Sequence, residues 1–328
     1  MVQVDLRLRA WSWVTRRMAN VATMSDAQVI AMQARRVPVN PVTNWLFGAV
    51  PASVAVADRT IPGPAGELLV RVYSPAVGDE EPGAAVRPLV VYFHGGGFVF
   101  GNVDLGNWIC GTVADRVGAV VVSVEYRLAP SHRFPAAVED SYAAFVWAAE
   151  NAAELGATGP IGVMGESAGA TLAAVTSLLA RERGGPVITH QALIYPAVDI
   201  TGQGAAAQAD PDAPFLSAAE MAAYNRLYLG PDGDPAHPWA SPLFAADHSG
   251  LPPALIQVAE HDPLRAGGER YAAVLRAAKV PVRFTEYVGV PHGFVNFPGL
   301  NRAAHQAMAE VCAEQSQALT TQPGALLG

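Results

Sequence analysis

The sequence predicts an α/β fold, with a mainly parallel central sheet flanked by helices. Apolar strand-like runs alternate with helical patterns along most of the chain, the order that a parallel sheet with crossover helices requires. Some of these runs are continuously apolar, as in "AVVVSVEY" (Ala119–Tyr126), which suits strands covered on both faces. The chain has 328 residues, of which 51% are hydrophobic and 15% charged, so it can bury a sizeable core.

The first 50 residues read as helices with no strands between them. "LLVRVYSP" and "PLVVYFH" then read as strands, followed by "AVVVSVEY". "PAAVEDSYAAFVWAAENAAEL" reads as a helix. Pro135 suits its first turn, and Val138, Tyr142, Phe145 and Val146 form an apolar stripe. Glu139 and Asp140 are expected to lie on its solvated first turn, complementing the dipole. "PIGVMG" is a short strand, and "ATLAAVTSLLARER" a helix closed by Gly184 and Gly185. "ITHQALIYP", "ALIQVAE" and "VRFTEYV" are later strands, with the helix "GGERYAAVLRAAK" between the last two. Residues 200–247 break the rhythm with a long loop, a helical pattern "SAAEMAAYNRLYL" and a Pro-rich end. A loop of that length in a compact domain is usually functional. The expected division is a helical cap segment over 1–50 and a catalytic domain over 51–328 carrying a cap insert at about 200–247.

Composition removes several function classes. The net charge is −8 and no stretch is dominated by Lys or Arg, which argues against a nucleic-acid partner. No apolar run is long enough for a membrane span or a signal-peptide core. Cys110 and Cys312 are too few for a disulfide framework or a thiolate zinc site. They read as buried small hydrophobes. The simplest reading is a soluble cytoplasmic protein. Its oligomeric state is left open, with a homodimer among the options.

Two glycine-rich stretches carry the chemistry. In "GVMGESAGA", Gly165-Glu166-Ser167-Ala168-Gly169 fits G-x-S-x-G between a strand and a helix. That is the context of the nucleophile elbow of an α/β-hydrolase fold, where a sharp turn exposes a serine hydroxyl at a helix N-terminus. In that fold, residues 200–247 form an insert after the sixth strand. "HGGGFVFG" (His94–Gly101) follows another strand. Bare glycines let backbone N–H groups approach a developing oxyanion, so Gly95, Gly96 and Gly97 are expected to supply donors together with Ala168. His94 reads as a structural hydrogen-bonding residue rather than a base.

At these residues the sequence resembles the hormone-sensitive lipase family of α/β-hydrolases, the bacterial family IV esterases. The resemblance rests on "HGGGFVFG", "VEYRLAPSHRFPAAVEDSYAA", "GESAGA", "HDPL" and "PHGF" in that order, over most of the chain from about residue 50 onward. The chain departs from the common pattern at Glu166, where the family usually has Asp or Thr. It departs also at Ala170, usually Gly, and at Ser131, often Glu.

The base must follow the acid in this fold's order Ser, Asp or Glu, His. His261, His292 and His305 lie after "ALIQVAE". His292 is in a loop after a strand, beside Gly293, whereas His305 falls in the helical pattern "NRAAHQAMAEV". The resemblance also selects His292. Asp262, just past a strand, is read as the acid, with Asp199 in reserve. His261 neighbours the acid and should not be the base.

The expected function is hydrolysis of short to medium acyl esters by Ser167, His292 and Asp262, with no metal or organic cofactor. The partner is a small hydrophobic ester. An amidase or peptidase with the same triad is the alternative. A non-catalytic receptor of this fold is disfavoured because the histidine is kept. Trp11, Trp13, Trp45, Leu46, Phe47, Phe215, Leu216, Met221 and Tyr224 form an apolar cover. Phe215, Leu216 and Tyr195 are the candidates for substrate binding.

Overall fold

The computed structural model describes residues 3–18, 20–75, 86–202 and 213–320. Three helices open the chain, α1 (Leu6–Met18), α2 (Asp26–Gln33) and α3 (Pro41–Phe47). A hairpin of β1 (Val54–Gly63) and β2 (Gly66–Pro75) follows. Then come β3 (Leu89–Phe93), α4 (Asn107–Val117), β4 (Val120–Val124), α5 (Ala136–Glu150), β5 (Ile161–Glu166), α6 (Ala168–Glu182) and β6 (Ile188–Ile194). After the insert helix α7 (Ala218–Leu229), the chain ends in β7 (Ala254–His261), α8 (Arg265–Ala277), β8 (Val282–Pro291) and α9 (Arg302–Thr320).

The eight strands form one sheet in the order β1-β2-β4-β3-β5-β6-β7-β8. β1 and β2 pair antiparallel with each other, and β2 pairs antiparallel with β4; all other pairs are parallel. The period-2 alternation of a strand divides the core. Leu89, Val91 and Phe93 of β3 join the helices α5, α6 and α8 on one face. Val90 and Tyr92 join α4 and α9 on the other. Cys110 and Cys312 are both buried and free of disulfides.

β3 has β4 on one side and β5 on the other. The chain therefore reverses its direction of travel across the sheet here, and the carboxyl ends of β3 and β5 open beside each other. Such a switch point is where open α/β sheets hold ligands. The register pairs Phe93 with Gly165, so the loop from His94 and the turn from Glu166 start as neighbours.

Two elements were illegible in sequence. β1 carries Asp58, Arg59 and Pro62, and only Val54 and Ile61 are buried in it. An edge strand of this kind has little core-facing pattern to read. α4 is the crossover that the parallel pair β3 and β4 needs, and most of its residues are buried, which removes the amphipathic signal. One expectation is corrected. Glu139 is exposed, but Asp140 is buried and accepts two hydrogen bonds of 2.8 Å from the Arg127 guanidinium and one of 2.9 Å from the Arg127 amide.

The N-terminal helices and the insert meet over the carboxyl edge. Ser12 Oγ accepts from the Phe215 amide at 2.9 Å, and Arg16 bonds the Ala213 carbonyl and pairs with Glu220 at 3.5 Å. Gln33 Nε2 donates to the carbonyls of Val99 and Ala129, each at 2.7 Å, tying α2 to the loops after β3 and β4. α7 starts with a capping box between Ser217 and Glu220. Residues 203–212 of the insert lie outside the described residues.

Candidate active site

Ser167 stands where β5 turns into α6, with φ 56° and ψ −121°. That is a costly backbone conformation for a residue with a Cβ, and it is held by what surrounds it. A Cβ on Gly169 would collide with the Phe93 carbonyl, so this glycine permits the close pass of α6 over β3. The Ser167 amide donates to the Ile194 carbonyl at 2.9 Å. The Ala168 amide, first in α6, meets no protein acceptor among the described residues, and Ala168 lines the cavity above the serine.

β7 and β8 bring the other two groups together. Their register pairs His261 with Pro291, so the following residues, Asp262 and His292, emerge side by side. His292 Nδ1 lies 2.7 Å from Asp262 Oδ2, and His292 Nε2 lies 2.8 Å from Ser167 Oγ. Nδ1 donates to the carboxylate, which leaves Nε2 to accept the Ser167 proton. The second oxygen of Asp262 accepts the Leu264 amide at 2.8 Å, locking the carboxylate. Burial would lower the His292 pKa, but the Asp262 charge and hydrogen bond, together with the Glu166 charge, outweigh it, and the net direction is upward.

The competing candidates are elsewhere. His261 pairs with Glu260 at 3.7 Å. His305 is exposed on α9, edge-on to Trp108. Asp199 lines the far part of the cavity but is bonded to Arg270 at 2.8 Å and to the hydroxyl and amide of Thr201. His94 is buried, stacks on Tyr126 at 4.2 Å and donates from Nδ1 to the Gly95 carbonyl at 2.8 Å. Burial lowers its pKa, which favours the neutral, structural imidazole.

The glycine loop divides its labour. Gly96 and Gly97 have φ of 113° and 64°, values that favour glycine, and both face the cavity beside Ala168. Gly95 corrects the sequence reading. Its amide donates to Glu166 Oε1 at 2.5 Å and is not available to a substrate. Glu166, a departure from the common pattern in sequence, thus holds the backbone of the glycine loop. Burial pushes its carboxyl pKa up, against the Gly95 amide, the His292 charge and the side chains of Asn296 and Tyr195, which act to lower it.

Above Ser167 opens a cavity of about 220 Å³. Phe215 and Leu216 line it, with Met221 and Tyr224 from α7. Phe98, Leu264 and Phe297 add to the apolar wall, with Ala197 and Ile200; Phe98, Leu264 and Phe297 each acquire their position from a loop. Tyr195 is the second correction. It is buried beneath the site, edge-on to His292 with ring centroids 4.8 Å apart, and supports the imidazole instead of lining the cavity. The N-terminal aromatics divide as well. Trp11 and Phe47 stand behind Phe297, at 6.3 and 5.8 Å, whereas Trp13 and Trp45 face outward. Phe98, Ser167, Tyr195 and Phe215 all have positive φ, a concentration of backbone strain around one site. Among the described residues no cluster of three His, Cys, Asp or Glu side chains could hold a metal ion.

The family model for the alpha/beta hydrolase fold matches residues 90–296. The chain is 44% identical over 255 residues to esterase LipI of Mycobacterium tuberculosis, covering 77% of this chain and 78% of that protein. It is 40% identical over 257 residues to carboxylesterase NlhH of the same organism, covering 77% and 79%. A solved esterase of Pyrobaculum calidifontis superposes with a TM-score of 0.79 at 39% identity, over 96% of this chain and 98% of that one. The chain therefore belongs to the α/β-hydrolase fold family, in the group of esterases similar to hormone-sensitive lipase that its motifs resemble.

Proposed function

We propose that this chain hydrolyses carboxylic esters of short to medium acyl chains through an acyl-enzyme on Ser167. The observation that carries the reading is the unbroken contact from Ser167 Oγ to His292 Nε2 at 2.8 Å and from His292 Nδ1 to Asp262 at 2.7 Å. His292 takes the Ser167 proton as Oγ attacks the ester carbonyl, and returns it to the departing alcohol. Asp262 holds the tautomer and stabilises the imidazolium. A water then gives its proton to His292 and attacks the acyl carbonyl, releasing the acid and restoring Ser167.

The tetrahedral oxyanion accepts hydrogen bonds from the amides among Gly96, Gly97 and Ala168 that border the serine. Glu166 holds the loop from behind through Gly95. The acyl chain lies against Phe215, Leu216 and Phe297, whose apolar surfaces suit a hydrocarbon and offer it no hydrogen bond. The names of the relatives favour esters over amides.

The test is a series of p-nitrophenyl acetate, butyrate, octanoate and palmitate, run beside a matched anilide. The expected result is a maximum among the shorter esters, with covalent labelling of Ser167 by a phosphonate. Preferential cleavage of the anilide, or a maximum at palmitate, would overturn the substrate assignment.

A further inference from the structure

The geometry points to the N-terminal segment as a docking surface for an anionic lipid bilayer. Residues 1–50 carry Arg7, Arg9, Arg16, Arg17, Arg35 and Arg36 against only Asp5 and Asp26, in a chain whose formal charge is −8. Such a reversal of sign within one chain gives this segment an electrostatic attraction for acidic partners. Arg16 and Arg36 are partly neutralised by Glu220 and Glu125. Among the described residues Arg7, Arg9, Arg17 and Arg35 have no ion-pair partner, and all four are exposed.

The cations accompany an outward apolar stripe. On α1, Leu6, Arg9, Ala10, Trp13 and Arg17 are exposed at helical spacing, while Leu8 and Ser12 on the other side are buried. Leu6 is 77% exposed and Trp13 58%, and the Arg17 guanidinium lies over the Trp13 ring at 3.8 Å. Large apolar side chains interleaved with arginine on one helix face are the composition of an interfacial helix, apolar groups at the acyl boundary and cations at the headgroups. On α3, Trp45 is 59% exposed, and the segment 37–50 carries no charge that would resist a lipid surface. A groove of about 450 Å³ beside α1 is lined by Arg16, Arg17, Asn20, Thr23, Gln28 and Arg35, with no acidic side chain. Planar guanidinium groups match phosphate oxygens two at a time, so this groove suits a lipid phosphate.

The docking face and the acyl cavity are linked through Phe297. Trp11, on α1, meets Phe297 edge-on at 6.3 Å, and Phe297 lines the cavity. A helix seated at the bilayer surface would place that cavity next to the phase in which hydrophobic esters concentrate. No helix among the described residues is long and apolar enough to cross a membrane, and the proposal is one of docking at the surface.

The experiment is co-sedimentation of the full chain with phosphatidylcholine vesicles, with and without phosphatidylglycerol. It reads binding and not turnover, so it stands apart from the esterase reading. Expected are binding to the phosphatidylglycerol vesicles only and weakening with added salt. The double variant Arg9→Ala and Arg17→Ala should lose affinity about 25-fold, from a factor of about five per cation near an anionic surface. Trp13→Ala should weaken binding too, with thermal melting and turnover of soluble p-nitrophenyl acetate at wild-type values in both variants. Equal partition onto both vesicle types, or wild-type binding by both variants, would overturn the proposal. So would wild-type protein that ignores vesicles and elutes as a dimer while Trp13→Ala elutes as a monomer, because the face would then seat a second copy of this chain.

Discussion

The Gly95 amide donates to the Glu166 carboxylate at 2.5 Å, tying the loop after β3 to the residue that precedes Ser167. One hydrogen bond thus joins the two backbone segments that must hold a fixed separation if their amides are to meet one oxyanion. It uses a carboxyl group in a place where burial raises its pKa, so charge and position can be separated by mutation.

Glu166→Gln keeps an acceptor for Gly95 and removes the charge; Glu166→Ala removes both. Turnover should fall little in the first and by about 100-fold in the second, the scale of losing one oriented oxyanion donor. Stability gives an independent reading. A carboxyl whose pKa is raised on folding holds more protons in the native than in the unfolded state, so it costs stability as pH rises from the unfolded pKa through the native one. The melting temperature of Glu166→Gln relative to wild type should therefore increase with pH above about 4.3, the ordinary glutamate value. A pH-independent difference would show that the carboxyl carries no such strain.

Ser167→Ala should fold and lose roughly 10⁶ in kcat, as when a triad acting as a unit is broken. Ser167→Gly should be equally inactive yet more stable, by about 1 kcal/mol, because φ 56° costs a residue with a Cβ far more than it costs glycine. Denaturant midpoints of the three proteins check this. A glycine variant less stable than wild type would mean that the serine side chain contributes more than the strain it carries.

Asp262→Asn should lose about 10⁴ in kcat by favouring the wrong imidazole tautomer, whereas Asp199→Asn should break only its bond to Arg270. His292 must be neutral to accept the Ser167 proton, and its pKa is raised. The acid limb of kcat/KM should therefore have its midpoint above about 6.5, the ordinary histidine value, with activity lost as pH falls through it. Asp262→Asn removes the charge that raises this pKa, so its residual activity should survive to lower pH. His261→Ala should leave both rate and midpoint unchanged.

Phe215→Ala removes a ring stacked on Phe297 at 5.0 Å and opens the cavity wall. Loss of that apolar contact should raise KM for the butyryl ester about tenfold, equivalent to roughly 1.4 kcal/mol of binding. The octanoyl ester should suffer less, because the vacated space admits the longer chain. Equal losses for both esters, or none for either, would remove Phe215 from the acyl site.

What the sequence alone determined is local. G-x-S-x-G between a strand and a helix, and three glycines after another strand, dictate backbone shapes within a few residues, and Ser167, Gly96 and Gly97 have them. The alternation of strands and helices dictates a parallel sheet, because only crossovers join parallel neighbours. What the tertiary structure decided depends on which strand lies beside which. β3 next to β5 is what puts the Gly95 amide against Glu166 and withdraws it from the site. β7 next to β8 is what sets His292 against Asp262 and leaves His261 with Glu260. Tyr195 went under the imidazole for the same reason, whereas Asp140 is buried against Arg127, 13 residues before it in the chain. A side chain's partners across a sheet are separated from it by tens of residues, so its chemical type is written in the sequence while its neighbour is settled only when the strands have paired.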